Sequence, residues 1–267
     1  KLLKFDFKEF WEHINGTFLL VIFGGIAISI ISLAKILEYL LEVPQYETWV
    51  MAFFFGLILL SVYFVGKTVA TWNATTIIAF LVGTAAAVSL ALLNPGNPND
   101  NNLYLLLCGV VAMASMILPG LSGSFVLIIM GNYELIMVKA VSNLTLPILI
   151  PVAIGAVVGL LAFSRVLSWV FKNYRDLTIS LLTGFVLGSL LIIWPWKNEL
   201  TKVFIEGDRE KEAIVGYEWY MPEIAAWETW VAIALMLAGG VVIWMMERWA
   251  NQQDQGIEDA PITETVQ

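Results

Sequence analysis

The stretch Pro119-Gly120-Leu121-Ser122-Gly123-Ser124 interrupts a long apolar run near the middle of the chain. The apolar segments on its two sides, 103–118 and 125–138, are each shorter than the roughly 17 to 25 residues that a helix needs to cross a bilayer. Irregular backbone survives in hydrocarbon only when it is buried in protein or lines a wet cavity. The pattern therefore predicts a re-entrant hairpin over 103–138, and a broken helix of this kind indicates a binding site.

The composition assigns the whole chain to the membrane. Of its 267 residues 59% are hydrophobic, and the mean hydropathy is +0.81. The remaining apolar runs are continuous, whereas the strands of a membrane barrel alternate between apolar and polar residues over about ten positions. These runs cover 17–41, 49–66, 74–93, 146–171, 177–196 and 229–246. We therefore predict an all-α integral membrane protein.

The charged residues exclude several functions. The net charge is −8, but the acidic residues cluster in a loop at 197–228 and in a tail at 251–267. A solvated loop and a disordered tail are the simplest interpretations, with a ligand site in the loop as the alternative. No basic stripe suggests nucleic acid. With one histidine, His13, and one cysteine, Cys108, the chain offers no Cys/His zinc cluster, and we predict no metal and no cofactor.

The chain aligns with itself. An offset of 130 brings Gly25 onto Gly155 and Lys35 onto Arg165, and an offset of 128 brings Gly56 onto Gly184 and Ser61 onto Ser189. Coincidence among apolar helices is the alternative explanation. We interpret the match as two repeats, 1–93 and 94–250, of which the first lacks its N-terminal hairpin. A first glycine-rich break is then expected upstream of Lys1.

Cations set the expected orientation. Short cytoplasmic loops carry more Lys and Arg than external ones. If the hairpin returns to the side from which it enters, the cytoplasmic side receives Lys1, Lys4, Lys8, Lys67, Lys172, Arg175 and Arg248, and the outside short loops receive Lys139. The two repeats are then inverted in the membrane, which is the architecture of an alternating-access carrier.

The break itself suits an anion. Glycines let a ligand approach the backbone, and the first N–H groups of the following half-helix have no intrahelical partners. The helix dipole adds partial positive charge there, which favours phosphate. Gly120, Ser122, Gly123 and Ser124 are therefore the predicted phosphate-binding residues. The alternative is a Pro-Gly kink whose serines only cap the backbone.

Four further residues are candidates for the same site. Arg165 lies in a predicted span and offers a planar fork for a phosphate, with snorkelling to the headgroups as the alternative. Lys35 is more typical of a snorkelling residue. Glu134 is a proton carrier, a partner of Arg165 or an interfacial residue. Ser189 falls on a small-residue helix face and is a supporting candidate.

A family resemblance adds to this interpretation. Met116 to Ser124, followed by Gly131-Asn132-Tyr133-Glu134, resembles the P-G-x-S-G-[ST]…G-x-Y-E signature of the bacterial polyprenyl-phosphate (undecaprenyl-phosphate) translocases, a family formerly catalogued as a domain of unknown function. The run Gly155 to Arg165 and the run Gly184 to Pro195 are similar to its downstream pattern. The chain departs from the family in that the first copy of the P-G-x-S-G motif is not among these residues.

The resemblance implies a function. It implies a multi-pass transporter in the bacterial cytoplasmic membrane that flips polyprenyl phosphate back for reuse in cell-envelope synthesis, rather than an enzyme. A coupling proton or sodium ion is a further implied partner. The alternatives are a membrane polyprenyl-diphosphatase, which needs acidic residues near its serines, and a carrier for another small anion.

Overall fold

A computed structural model describes residues 16–41, 43–206 and 209–258. Lys1, Lys4, Lys8 and His13, and the tail from residue 259 onward, lie outside the described residues. The chain forms two compact units, residues 1–50 and 51–267. In the first unit, helix α1 spans Gly16–Leu41 and matches the predicted run at 17–41. Its 26 residues reach about 39 Å, and their apolar part runs over Gly16–Ile30.

The second unit contains most of the helices and one β-hairpin. Helix α2 begins in the first unit and spans Pro44–Lys67. The later elements are α3 (Ala74–Leu92), α4 (Asn102–Ile117), α5 (Gly123–Ile129), a π-helical segment (Glu134–Ala140), α6 (Leu146–Asn173), α7 (Arg175–Ser189), β1 (Lys197–Glu206), β2 (Arg209–Trp219) and α8 (Trp227–Glu258). Among the described residues four helices, α2, α3, α6 and α8, are long and apolar enough to span a membrane. The predicted all-α membrane class is confirmed.

Polar caps define where the inner helices begin. Asn73 accepts hydrogen bonds from the backbone N–H groups of Thr75 and Thr76, and the Thr76 hydroxyl accepts one from the Asn73 N–H. This capping box satisfies N–H groups that α3 leaves without partners. Asn101 caps α4 in the same way, through the N–H of Leu103. Both caps lie in polar loops, so the sequence itself marks the start of each helix.

Helices α4 and α6 pack through glycines. A Cβ atom added at Gly155 would lie 2.0 Å from the carbonyl oxygen of Leu106, and one at Gly159 would lie 2.5 Å from that of Val110. In return Gly109 of α4 approaches the backbone of α6. The contacts advance in the same direction along both helices, so α4 and α6 run parallel. Small residues permit this close approach of backbones inside a membrane.

Helices α3 and α7 pack in the same manner. A Cβ atom at Gly184 would lie 1.9 Å from the carbonyl oxygen of Phe80, and one at Gly188 would lie 2.5 Å from that of Thr84. Gly83 of α3 approaches the backbone of α7 in turn, because a Cβ atom added at Gly83 would lie 2.1 Å from the carbonyl oxygen of Leu181. This pair is therefore also parallel and held by glycine contacts.

Helices α2 and α8 pack in the same way, at positions that differ from those of α7 and α3 by a constant offset in the sequence. Gly239 of α8 contacts the backbone of Phe53 and Leu57, while Gly56 contacts that of Met236. Adding 128 to the three α2 residues gives Leu181, Gly184 and Phe185 of α7, and these are the residues that contact Gly83 and Phe80 of α3. The offset of 128 found in the sequence therefore also relates two sets of backbone contacts. This supports the predicted repeat.

The parallel course of α4 and α6 determines how the chain passes between them. Because α4 and α6 run parallel, the segment 118–145 returns to the side where α4 begins. The re-entrant hairpin over 103–138 stays a prediction. The structure differs in the second arm, which was expected to be one half-helix over 125–138. Helix α5 has only seven residues, and its axis and that of the π-helical segment are bent by 116° relative to each other.

The bend has a local cause. Gly131 adopts a φ of +77°, a left-handed conformation that glycine reaches without strain. Asn132 follows it, is fully buried, and exchanges hydrogen bonds of 2.8 and 2.7 Å with the backbone N–H and C=O of Asn99. These bonds attach the bend to the loop that precedes α4. A continuous helix through residue 132 cannot make them.

The acidic region is more ordered than a solvated loop. Within this region, Lys197–Glu206 (β1) and Arg209–Trp219 (β2) form an antiparallel two-stranded sheet. Its Trp219 indole N–H donates to the carbonyl of Leu191 at 2.8 Å, and the buried ammonium of Lys197 donates to that of Ile192. Both carbonyls belong to the turn after α7, which ends at Ser189 rather than near residue 196 as predicted. The hairpin thus caps a helix that is too short to span the membrane alone.

The far end of α8 also differs from expectation. The sequence predicted a polar tail starting at residue 251, whereas α8 continues to Glu258. A long spanning helix can extend into water because its backbone hydrogen bonds are internal. Residues 259–267 of the predicted tail lie outside the described residues.

Candidate functional site

The break between α4 and α5 is packed on one side and open on the other. Gly120 has a φ of +89°, and a Cβ atom added there would lie 2.5 Å from the hydroxyl oxygen of Ser189. Gly123 is buried, and its Cβ position lies 3.0 Å from the carbonyl oxygen of Ala112. Ser122 and Ser124, in contrast, are exposed. The glycines therefore let the turn sit against the bundle while the serines remain accessible.

The serines of the break have different roles. The Ser122 hydroxyl accepts a hydrogen bond of 3.2 Å from the Phe125 N–H, so this residue caps α5. Within the described residues, the hydroxyl of Ser124 and the N–H groups of Gly123 and Ser124 have no protein partner. Such groups are available to an anion. Because α5 has seven residues instead of the fourteen expected, its dipole is weaker than the sequence pattern suggested.

Ser189 meets the break from the end of α7. It is buried, and its hydroxyl donates to the carbonyl of Val186 at 2.8 Å. It is the last residue of α7, whose 15 residues reach about 22 Å from Arg175. The contact with Gly120 therefore places the break deep inside the bundle. The structure brings together Gly120 and Ser189, which the sequence indicated as candidates for separate reasons.

Arg165 lies near the level of the break but does not contact its polar groups. Leu106 is opposite Gly155 and Val110 is opposite Gly159, and the same register carried forward places Met116 level with Arg165. The arginine is exposed and forms no hydrogen bond or ion pair with any described residue. Its guanidinium is therefore free for a ligand, and its role as a phosphate ligand stays a prediction.

Glu134 lies beyond the bend of the second unit, and Lys35 belongs to the first unit. Glu134 begins the π-helical segment and pairs with Lys139 at 2.8 Å, so the suggestion that it pairs with Arg165 is wrong for this structure. The reason is geometric, since residues five apart share a face in a π-helix. Glu134 lines a cavity of about 310 Å³ that also includes Gly96 and Lys202. Lys35 is exposed on α1 in the first unit.

A second cavity, of about 500 Å³, was not predicted from the sequence. It lies where α2 ends, next to α3 and α7, and its walls include Gly66, Lys67, Trp72, Phe80 and Thr183. From the sequence, Lys67 indicates only the orientation of the chain, and Asn132 is one residue of the Gly131-Asn132-Tyr133-Glu134 motif. The sequence does contain a signal for each residue. Lys67 is a single cation at the end of an apolar helix, and Asn132 is an amide within an apolar segment, and polar groups in such positions are often functional.

The geometry excludes some chemistry at the described residues. No group of three or more His, Cys, Asp or Glu side chains there is arranged to hold a metal ion. The nearest carboxylate in the sequence after the break, Glu134, lies beyond the bend and is paired with Lys139. In the described part of the chain, neither Ser122 nor Ser124 forms a hydrogen bond with a carboxylate.

Together, the spanning helices, the broken segment and the exposed Gly-Ser turn define a multi-pass membrane protein with a polar site inside its bundle. The model of the undecaprenyl phosphate translocase-like family matches residues 1–209, and the chain belongs to that family. A polyprenyl-phosphate transporter of Vibrio cholerae is 36% identical over 248 residues, covering 91% of this chain and 79% of the relative. One of Staphylococcus aureus is 29% identical over 206 residues, covering 70% and 71%.

No solved structure matches the chain. The family and the spanning helices place the protein in the bacterial cytoplasmic membrane, which it crosses several times.

Proposed function

We propose that this chain transports a polyprenyl monophosphate across the cytoplasmic membrane and returns the lipid for reuse in cell-envelope synthesis. The observation that carries the proposal is the break at 119–124, which provides free N–H and hydroxyl groups at Gly123 and Ser124 among apolar helices. The two relatives are named as transporters of this lipid class. No covalent step is required, so the protein acts as a carrier and not as an enzyme.

The lipid divides naturally between two environments. The phosphate enters the break, where the N–H groups of Gly123 and Ser124 and the Ser124 hydroxyl donate to its oxygens. The prenyl chain stays in hydrocarbon along exposed apolar helix faces, of which α6 provides one: Val157 and Leu161 are 58% and 55% exposed. Because the charged head crosses through the protein, it avoids the free-energy cost of passing through lipid, while the apolar chain never leaves the hydrocarbon.

The repeat supplies a mechanism for reaching both sides. The α2–α8 and α3–α7 pairs share their contacts at an offset of 128. Because α2 and α3 are consecutive spanning helices joined by a short loop, they are expected to cross the membrane in opposite directions. This supports inverted repeats and alternating access. Arg165 completes the site on the α6 side, where it stabilises the charge of the phosphate through a bidentate contact. A proton or sodium ion is the proposed coupling ion.

Arg165 offers the cleanest test of this function. In cells that lack other translocases, Arg165→Ala should leave undecaprenyl phosphate on the outer surface, because a charge-assisted contact contributes about 1.5 to 3 kcal/mol. Arg165→Lys should restore only part of the recycling, since an ammonium lacks the fork. Lys172→Gln, which removes a cation at the end of the same helix, is the matched control. Normal recycling in the alanine variant would remove Arg165 from the site.

A further inference from the structure

The cavity at the end of α2 combines an apolar interior with one cation. Its volume is about 500 Å³, within the range of small-molecule sites. Phe80 and Val69 supply apolar wall, and Lys67 stands at the C-terminal end of α2. The cavity is thus amphipathic: an apolar chain fits inside it while a charged head stays at its mouth.

Lys67 is held in place without being neutralised. Its ammonium lies 4.6 Å from the centre of the Tyr63 ring and 5.8 Å from that of Phe64. No carboxylate among the described residues forms an ion pair with it. The acidic Asp176 at the start of α7 instead accepts from the backbone N–H of Thr71 at 3.2 Å. The positive charge of Lys67 therefore remains available to an anion.

Small residues keep the cavity open. Gly66 faces Thr183 of α7, and a Cβ atom added at Gly66 would still lie 4.0 Å from the Thr183 methyl carbon and 3.6 Å from the Trp72 ring. The indole N–H of Trp72 donates to the Gly66 carbonyl at 3.1 Å, which fixes the ring at the wall. The space is consequently a stable feature of the fold and not a gap that a side chain is poised to fill.

The equivalent position in the other repeat is closed. Adding 128 to Gly66 gives Trp194, and subtracting 128 from Thr183 gives Phe55. These two rings contact each other with centroids 5.5 Å apart. Two small residues at the cytoplasmic end thus correspond to two large aromatic residues at the outer end. The sequence differs at these two equivalent positions: the pair Gly66 and Thr183 lines a cavity, whereas the pair Trp194 and Phe55 brings two rings into contact.

We propose that this cavity binds a single-chain prenyl monophosphate on the cytoplasmic side, with the first isoprene units inside and the phosphate on Lys67. This inference rests on the transport function proposed above and adds a second lipid-binding site to the transport path. One apolar slot suits a lipid with one chain, and one unpaired cation suits one phosphate. The site then receives the lipid after its head leaves the break, before it enters the inner leaflet.

Binding of farnesyl monophosphate to the purified full chain in detergent tests the proposal, with farnesol as the uncharged control. Lys67→Gln should weaken farnesyl monophosphate binding about tenfold or more, whereas Lys67→Arg should bind nearly as the unaltered chain does. Lys172→Gln removes a cation expected on the same side but outside the cavity and should have no effect. Thermal unfolding of each variant confirms that it is folded.

A cavity-filling variant provides an independent test. Gly66→Val adds atoms where the surroundings leave ordinary contact distances, so the protein should fold and bind farnesyl monophosphate several-fold more weakly. Unchanged affinity in both Lys67→Gln and Gly66→Val would overturn the site. If vesicles of phosphatidylglycerol compete as well as prenyl phosphate does, the occupant is a bulk two-chain lipid and the proposal fails.

The same variants separate this site from the function as a whole. If the unaltered protein moves prenyl phosphate across vesicles and both variants bind and move it normally, the cavity is not a station but the transport function stands. If the unaltered protein moves no prenyl phosphate, both proposals fail together.

Discussion

The glycine-packed helix pairs and the break use the same residue type for opposite purposes. In the pairs, Gly155 and Gly184 bring two backbones together and leave no space for a side chain. At the break, Gly120 presses the turn against Ser189, but its neighbours Ser122 and Ser124 are exposed. The pairs form a rigid frame, and the break holds donors that the frame does not use. Stability should therefore depend on the first set and ligand binding on the second.

The largest expected effect is on the frame. Gly155→Leu would place a Cβ atom 2.0 Å from a backbone carbonyl oxygen, so α4 and α6 must separate, at a cost of about 3 kcal/mol or more. Val158→Leu, at an exposed position of the same helix, is the control. Thermal unfolding in detergent should show a large loss for the first variant only. Equal losses would contradict the packing account.

A smaller effect is expected where the frame holds the bend. Asn132→Leu removes two hydrogen bonds and leaves the N–H and C=O of Asn99 unpaired, which costs about 2 kcal/mol. Limited proteolysis should then cut the 94–101 loop faster. Asn143→Leu, at an exposed position, is the control. If the loop is cut at the same rate in both variants, Asn132 does not attach it.

At the break the effect should be mainly on activity. Gly120→Ala meets the Ser189 side chain and must hold an alanine at a φ of +89°, which together cost about 1 to 2 kcal/mol. Transport should fall more than stability. Ser189→Gly removes the clash but not the backbone strain, so the double variant should recover part of the loss. Independent, additive losses would show that the two residues do not contact each other.

The smallest effect is expected at the hairpin formed by β1 and β2. Burial, together with the charge of Glu199, raises the pKa of Tyr217 to about 12. The folded state therefore keeps the phenol protonated better than the unfolded state, whose pKa is near 10, and stability is lost as pH rises from about 10 to 12. The ultraviolet absorbance of tyrosinate, compared with that of Tyr217→Phe, measures this. Ionisation of Tyr217 near pH 10 would contradict its burial in the hairpin.

Sequence patterns predicted the frame well and the details of the break less well. Continuous apolar runs set the helices, and the glycine spacing gave an offset of 128 that recurs in backbone contacts. The bend at Gly131 could not be predicted from the sequence, because it depends on a hydrogen bond between Asn132 and Asn99, which are 33 residues apart. The hairpin escaped because its acidic residues resemble a solvated loop. The cavity depends on small residues from separate helices, which no local pattern reveals.

The central claim is that the protein carries a prenyl phosphate head through the bundle at the break. Purified protein in liposomes should accelerate the movement of a fluorescent prenyl monophosphate between leaflets, measured by protection from an impermeant quencher. The neutral prenol analogue gives the baseline, and Arg165→Ala and Gly120→Ala should each reduce the rate for the phosphate. Movement of the phosphate no faster than in protein-free liposomes, or equally fast in both variants, would contradict the account.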